Sequence, residues 1–372
     1  MKNIYKYFKF VGSVCISIII AFTISLIVDF FFGKYILKGL DKYLQKTEFY
    51  ERLLRTDHPV FHHSFLPNVN YKLSKGFEGN YTICTNNYGF RSKCEENKGS
   101  KNFDYGFVGD SFVEGYSVDY EESFVGIFAK KKNVSVANLG VTSYSPQIYF
   151  SKINHLIKNG FKFKHLIFFI DISDLYDDDV FYKLNDNQAV EERYFKRKDL
   201  KRRSILRKNF PLTNYYMYVI NRRQSFKTVK NIEGKEYPDW HYKYVWKGEW
   251  TYYKNDDHPQ YINKLSEAQK NILDTMEMTH ELLRENNIKM SLAVYPWPQQ
   301  LEHDKIDSKQ VLMWKKFCVN RCENFINYFP FFFTELDKDG FINTYKKYYW
   351  WNDVHFNKKG NEVIAEKLIE VF

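Results

Sequence analysis

The chain has no internal repeat and no low-complexity tract, which excludes a solenoid or a biased linker as its organising principle. It has no zinc-finger spacing, no RNP-type aromatic motif and no heptad array behind a basic region. A formal net charge of +10 therefore points to anionic partners such as phosphate-bearing polymers or lipid head groups, and not to nucleic acid. Cysteine is scarce, five in 372 residues, and none falls in a C-x2-C knuckle, so a structural zinc site is not expected. The apolar N-terminus is followed by no A-x-A-like cleavage site, which argues against a removed signal peptide.

What is present is a long span and a large core. Residues 11–33, "VGSVCISIIIAFTISLIVDFFFG", are nearly free of charge and long enough to cross a bilayer as a helix, interrupted only by Asp29 near the far end. Lys2, Lys6 and Lys9 precede the span, placing the N-terminus in the cytoplasm and the rest outside, although Lys34 and Lys38 blunt the signal. Hydrophobic residues make up 44% of the chain and aromatics 19%, enough to bury a substantial core. Outside the membrane Cys84 and Cys94 could close a small loop. Cys318 and Cys322 stand four apart in an expected helix, where a disulfide is awkward, so free or cross-paired thiols are equally expected.

Residues 34–56 continue with helical periodicity, as a juxtamembrane helix leading into a connector that ends near residue 80. From residue 81 to 372 one large domain is expected. "DYGFVG", "VSVANLG", "KHLIFFIDI" and "KMSLAVYP" read as buried strands, and amphipathic helical segments alternate with them. Strands apolar along their length, separated by helices, predict a mainly parallel sheet covered on both faces: a three-layer α/β/α fold. An insertion at about 175–262 breaks the rhythm, with a basic first half and an aromatic second half. It is either a solvated helix and a packed hairpin, or a lid offering aromatic platforms and cations to a glycan or anionic polymer.

In a parallel sheet, ligands bind where strands end and helices begin. Ser111 stands there, after the first strand, in "FDYGFVGDSFVEG". By itself a serine in this position is a helix cap. A nucleophile needs a base and a carboxylate that orients it, and "NDVHF" near the C-terminus offers His355 and Asp353 on one short loop. Asp110 is read as structural, Asp177, Asp178 and Asp179 as solvated charge, and His58, His62 and His63 as surface residues with a small chance of binding a metal.

"GDSF" at 109–112, with "NNYGFR" (86–91), "NLGVTSYSPQ" (138–147) and "DVHFNKKGNEVIAE" (353–366), resembles the SGNH (GDSL-type) hydrolase superfamily in its membrane-anchored, cell-surface form. The resemblance spans about residues 80–372. It implies Ser111 as nucleophile and first oxyanion donor, Gly140 as the second donor through its N–H, His355 as base and Asp353 as its carboxylate. The family's third donor, an asparagine, is replaced by Ser173 in "DISD", with Asn138 a nearby spare. No cofactor or metal is implied. The expected activity is an extracytoplasmic serine esterase acting on an ester, an O-acetyl group on a glycan or envelope polymer. Acyl transfer by the same triad is the variant, and a weakly catalytic scaffold binding anionic polymer among envelope assembly proteins is the alternative.

Overall fold

The computed structural model describes residues 2–39, 54–76, 79–95, 99–193, 209–213, 216–217, 229–232, 235–238, 245–351 and 353–372. Contacts divide the chain into two units, Met1–Phe49 with Tyr194–Thr228, and Tyr50–Arg193 with Val229–Phe372. The basic half of the insertion and most of the expected juxtamembrane helix lie outside the described residues.

The first unit contains a helix, α1 (Lys2–Gly39), whose stretch Phe10–Gly33 is long and apolar enough to cross a membrane. Asp29 within it is buried, and its carboxylate accepts from the N–H groups of Leu212 (2.8 Å) and Thr213 (2.7 Å). A charge that would be costly in an apolar span is thus hydrogen-bonded to a second stretch of chain.

The second unit is built on five parallel strands: β1 (Asn102–Val108), β2 (Val136–Asn138), β3 (Lys162–Ile170), β4 (Lys289–Val294) and β5 (Asn324–Asn327). Their order across the sheet is β5-β4-β3-β1-β2. The chain runs outward from β1 to β2 through a helix α2 (Phe124–Lys132), then back across to β3 through α3 (Pro146–Lys158). Right-handed crossovers in opposite directions put those two helices on opposite faces. The helices α4 (Leu265–Glu285) and α5 (Lys309–Cys318) follow β3 and β4 in the same direction as α3, and α4 packs on α3. The last helix, α6 (Lys358–Val371), packs on α2 and completes the other layer. The expected α/β/α architecture is the observed one. The order reverses between β1 and β3, so the crevice at their C-terminal ends is where a ligand site belongs.

Phe107, Phe168, Phe169 and Ile170 are fully buried, which explains why β1 and β3 read as unbroken apolar runs. Two antiparallel hairpins precede the sheet, Arg55–Phe65 and Asn70–Cys84. The Cys84–Cys94 pair is disulfide-bonded, and so is Cys318–Cys322. The second pairing corrects the expectation of an awkward geometry. Helix α5 stops at Cys318, and the turn that follows, with Cys322 N–H donating to Cys318 O at 3.1 Å, brings the two sulfurs together.

Candidate active site

Strand β1 ends at Val108, and Asp110 caps a single helical turn, Ser111–Glu114, by accepting from Phe112 N–H at 3.0 Å. Ser111 is the first residue of that turn, so its own N–H has no partner within the helix. The serine at the strand end is both a helix start and a presented hydroxyl.

His355 reaches it from 244 residues away, its Nε2 lying 2.7 Å from Ser111 Oγ. On the other side of the ring, Nδ1–H donates to Asp353 Oδ1, which also accepts from the backbone N–H of His355 at 3.0 Å. That carboxylate puts the imidazole proton on Nδ1 and leaves Nε2 free to take the serine proton. Asp353 is fixed in turn, for its N–H donates to Trp350 O (2.9 Å) and Tyr345 Oη (3.0 Å), while Tyr345 Oη–H donates to Asp353 O (2.9 Å). Helix α6 begins immediately after, with Asn357 capping it on Gly360 N–H, and Asn361 accepts from Phe124 N–H at the start of α2. The loop bearing acid and base is anchored to the layer beneath the nucleophile.

Asp110 Oδ2 lies 3.2 Å from Ser111 Oγ, a longer contact than the one to His355. Burial first, and then the neighbouring charge of Asp171, hold the Asp110 carboxyl well above the usual carboxylate range. Asp171 is satisfied by Ser173 N–H (2.6 Å) and Trp297 Nε1–H (3.1 Å). The low dielectric around Asp110 and the acid beside it therefore favour its neutral form. Asp110 accordingly acts on the backbone turn and not on the histidine.

The three oxyanion candidates are placed differently. Ser111 N–H sits at the helix start, as expected. Gly140 is pressed against the same turn: a Cβ there would lie 2.5 Å from Glu114 N and 2.6 Å from Val113 Cβ, so only glycine fits. Its N–H, however, donates to Asn138 Oδ1 at 3.1 Å, and Asn138 Nδ2–H donates to Val113 O at 2.7 Å. Asn138 is thereby held at both ends, its oxygen on Gly140 N–H and one of its two amide hydrogens on Val113 O. Ser173 is buried at the end of β3, and its side chain makes no capping bond to the helical turn Asp174–Val180 that follows.

The acidic run is a correction. Asp177, Asp178 and Asp179 are buried, not solvated, and each holds a separate piece of chain. Asp177 pairs with Lys247 at 2.7 Å, Asp178 accepts from Ser145 Oγ–H and Gln147 N–H (3.2 Å), and Asp179 accepts from Ile262 N–H (2.6 Å) and Asn263 Nδ2–H (2.7 Å). Part of the aromatic half of the insertion is likewise core, since Trp250 is buried and donates its Nε1–H to Ile172 O at 2.9 Å.

The histidines of "HPVFHHSF" have partners other than a metal. His58 Nδ1 accepts from Val60 N–H at 3.2 Å, His62 lies 3.0 Å from Glu192 Oε1, and His63 Nε2–H donates to Thr142 O at 2.9 Å. Burial, and then the neighbouring His62, push His63 down to about 3 from 6.5. A histidine that stays neutral when folded but takes a proton near 6.5 when unfolded contributes stability above that pH and loses it as pH falls towards 3. Between about pH 7 and about pH 4.5 this amounts to about 2.5 kcal/mol. His63→Gln, which keeps a donor for Thr142 O, is expected to lose less urea stability over that interval than wild type. Equal losses would remove His63 as the cause.

Several supporting residues carry no distinctive sequence signal. Arg55 pairs with Glu114 at 2.6 Å, and Glu114 also accepts from Thr142 N–H at 2.6 Å, joining the first hairpin to the turn and to the loop after Gly140. Lys152, buried, donates to Leu139 O at 2.9 Å, and burial pushes it down to about 7 despite the nearby charge of Glu114. Arg91, inside the quoted "NNYGFR", bonds the carbonyls around the turn.

Fold and site together define an α/β protein carrying a serine, a histidine and an aspartate in hydrogen-bonded series at the switch point of a parallel sheet. No family model matches the chain, and no curated protein matches it. Among solved structures, a member of the lipolytic protein G-D-S-L family from Veillonella parvula DSM 2008 aligns with 72% of this chain and 96% of its own at 14% identity and a TM-score of 0.38. A structure assigned to the same family from Desulfitobacterium hafniense DCB-2 aligns with 73% of this chain and 100% of its own at 13% identity and a TM-score of 0.35. Similarity at that level carries no argument about chemistry, which rests on the residues themselves.

Proposed function

We propose that this chain is a membrane-anchored serine esterase of SGNH type, acting outside the cytoplasm on an ester, an O-acetyl group, of a glycan or other envelope polymer. The observation that carries the reading is the 2.7 Å contact of Ser111 Oγ with His355 Nε2, with Asp353 on the opposite ring nitrogen. His355 takes the hydroxyl proton as Oγ attacks the acyl carbon, and the oxyanion forms against the N–H of Ser111. Collapse expels the alcohol with the proton returned by His355, and water then cleaves the acyl-enzyme by the same route. An acceptor hydroxyl in place of that water turns the same cycle into acyl transfer. The apolar Phe10–Gly33 stretch supports a membrane anchor, and two disulfides support an oxidising compartment.

One observation favours the alternative, a slow or non-catalytic scaffold binding envelope polymer. The N–H groups of Gly140 and Ser173 both point to side-chain acceptors of their own chain, which leaves the Ser111 N–H and the shorter-reaching Ser173 hydroxyl as the candidate donors. The deciding experiment uses the full chain in detergent. A serine-directed fluorophosphonate should label Ser111, and p-nitrophenyl acetate should be cleaved faster by wild type than by Ser111→Ala. No labelling and equal cleavage would leave the scaffold reading in possession.

A further inference from the structure

We propose that Tyr116 is a positioning residue for His355, holding the imidazole in line with Ser111 and stabilising the imidazolium that forms as the serine is deprotonated. The proposal rests on the esterase reading of the site and goes beyond it by assigning a role to a residue outside the triad and the oxyanion donors.

The ring of Tyr116 lies 4.4 Å from that of His355 at an interplanar angle of 29°, a stacked arrangement. Phe112 also touches the imidazole, at 4.9 Å and 39°. Asp353 fixes the histidine only along one edge, at Nδ1. Rotation of the ring about its own bond, which would swing Nε2 away from Ser111, is resisted by the aromatic surface against its face. A π face beside an imidazole also favours the charged form that the histidine adopts in the transition state.

The backbone that delivers Tyr116 to this place is heavily determined. The helical turn ends at Gly115, which is left-handed (φ 78°), and a side chain there would lie 2.8 Å from Ser123 Cβ and 3.1 Å from Arg91 Nη1. One residue further, Ser117 is also left-handed (φ 62°) and is buried, an unusual conformation for a residue with a Cβ. Two left-handed residues flanking Tyr116 fold the chain back, and Tyr116 N–H donates to Ser111 O at 3.1 Å. Arg91 accepts the cost of that conformation by donating to the carbonyls of Glu114 (2.5 Å), Gly115 and Val118. A strained segment held so firmly next to a reactive pair, and ending in a ring stacked on the base, is the pattern of a preorganised site.

The test compares Tyr116→Phe and Tyr116→Leu with wild type, as full chains in detergent. Phe keeps the π face, while Leu fills similar space without it. With p-nitrophenyl acetate, Tyr116→Leu should lower kcat about tenfold with KM changed less than about twofold, and Tyr116→Phe should stay within about twofold of wild type. A second reading is independent of turnover. With 13C-labelled histidine, the His355 ring signals, assigned by loss in His355→Asn, should be ring-current shifted in wild type and Tyr116→Phe and should move in Tyr116→Leu. If wild type is labelled by fluorophosphonate but Tyr116→Leu turns over as fast, the positioning role is overturned and the esterase reading stands. If Tyr116→Leu is slow while its His355 signals match wild type, the loss is not through the histidine and the proposal is again overturned. If wild type reacts with neither probe, the esterase reading itself has failed and takes the proposal with it.

Discussion

Asp353→Asn should lower turnover by about 10³–10⁴-fold while leaving the melting temperature and KM close to wild type. The expectation follows from proton accounting around His355. With a carboxylate on Nδ1, the ring proton must sit there, and Nε2 presents its lone pair to Ser111 at 2.7 Å. An asparagine amide can present its NH2 to Nδ1 instead. The ring then carries its proton on Nε2, which faces the serine hydroxyl with a hydrogen and cannot accept another. The imidazolium formed during acylation also loses the negative charge that stabilises it. Asp110 is no substitute, because it bonds the backbone of the turn and its carboxyl is held well above the usual range by burial and Asp171. Fluorophosphonate labelling of Ser111 should slow in parallel, measured as the second-order rate of inactivation. A variant that labelled at the wild-type rate would show that Asp353 does no more than shape its loop.

The elements that carry the site were legible because each rests on a local pattern. The apolar run of β1, followed by "GDSF", shows a strand, a cap and a serine within thirteen residues, and the last helix announces itself by "NKKGNEVIAEKL" after Asp353 and His355. What was not legible is pairing at a distance. Three consecutive aspartates look the same in sequence whether they meet water or Lys247, Ser145 and Asn263, the first of these 70 residues away. Helix α5 ends at Cys318 without a glycine or proline to mark it, so the Cys318–Cys322 pairing could not be read from spacing. Gly140 was found by motif, but the competing acceptor on its N–H is a side chain two residues back, whose orientation only the structure gives. Tyr116 had no signal at all, since its place over His355 depends on two left-handed residues, one of them a serine.

Arg91→Leu should destabilise the second unit by about 4 kcal/mol, the largest effect expected of any change outside the triad. Arg91 is only 2% exposed, and its guanidinium donates to the carbonyls of Glu114, Gly115 and Val118. Its backbone meanwhile bridges Thr85 on one side and Asn138, at the end of β2, on the other. Removing the side chain strands the buried carbonyls of Glu114 and Val118 and leaves that of Gly115 with only the Val118 N–H at 3.4 Å, and each unsatisfied group costs about 1–3 kcal/mol. Lysine would not restore them, because one ammonium cannot span acceptors that a planar guanidinium meets from two nitrogens. By contrast Arg321, whose pair with Glu277 is about one-third exposed on both sides, should lose under about 1 kcal/mol on the same substitution. For a domain of this size about 4 kcal/mol corresponds to a fall in melting temperature of about 10 °C, readable by tryptophan fluorescence of the full chain in detergent. The carbonyls that Arg91 holds are those of the segment bearing Tyr116, so activity in Arg91→Leu should fall even at temperatures where the protein remains folded. A variant as stable as wild type would mean that the turn after Ser111 is held by its own local bonds, and that Arg91 merely occupies the space behind it.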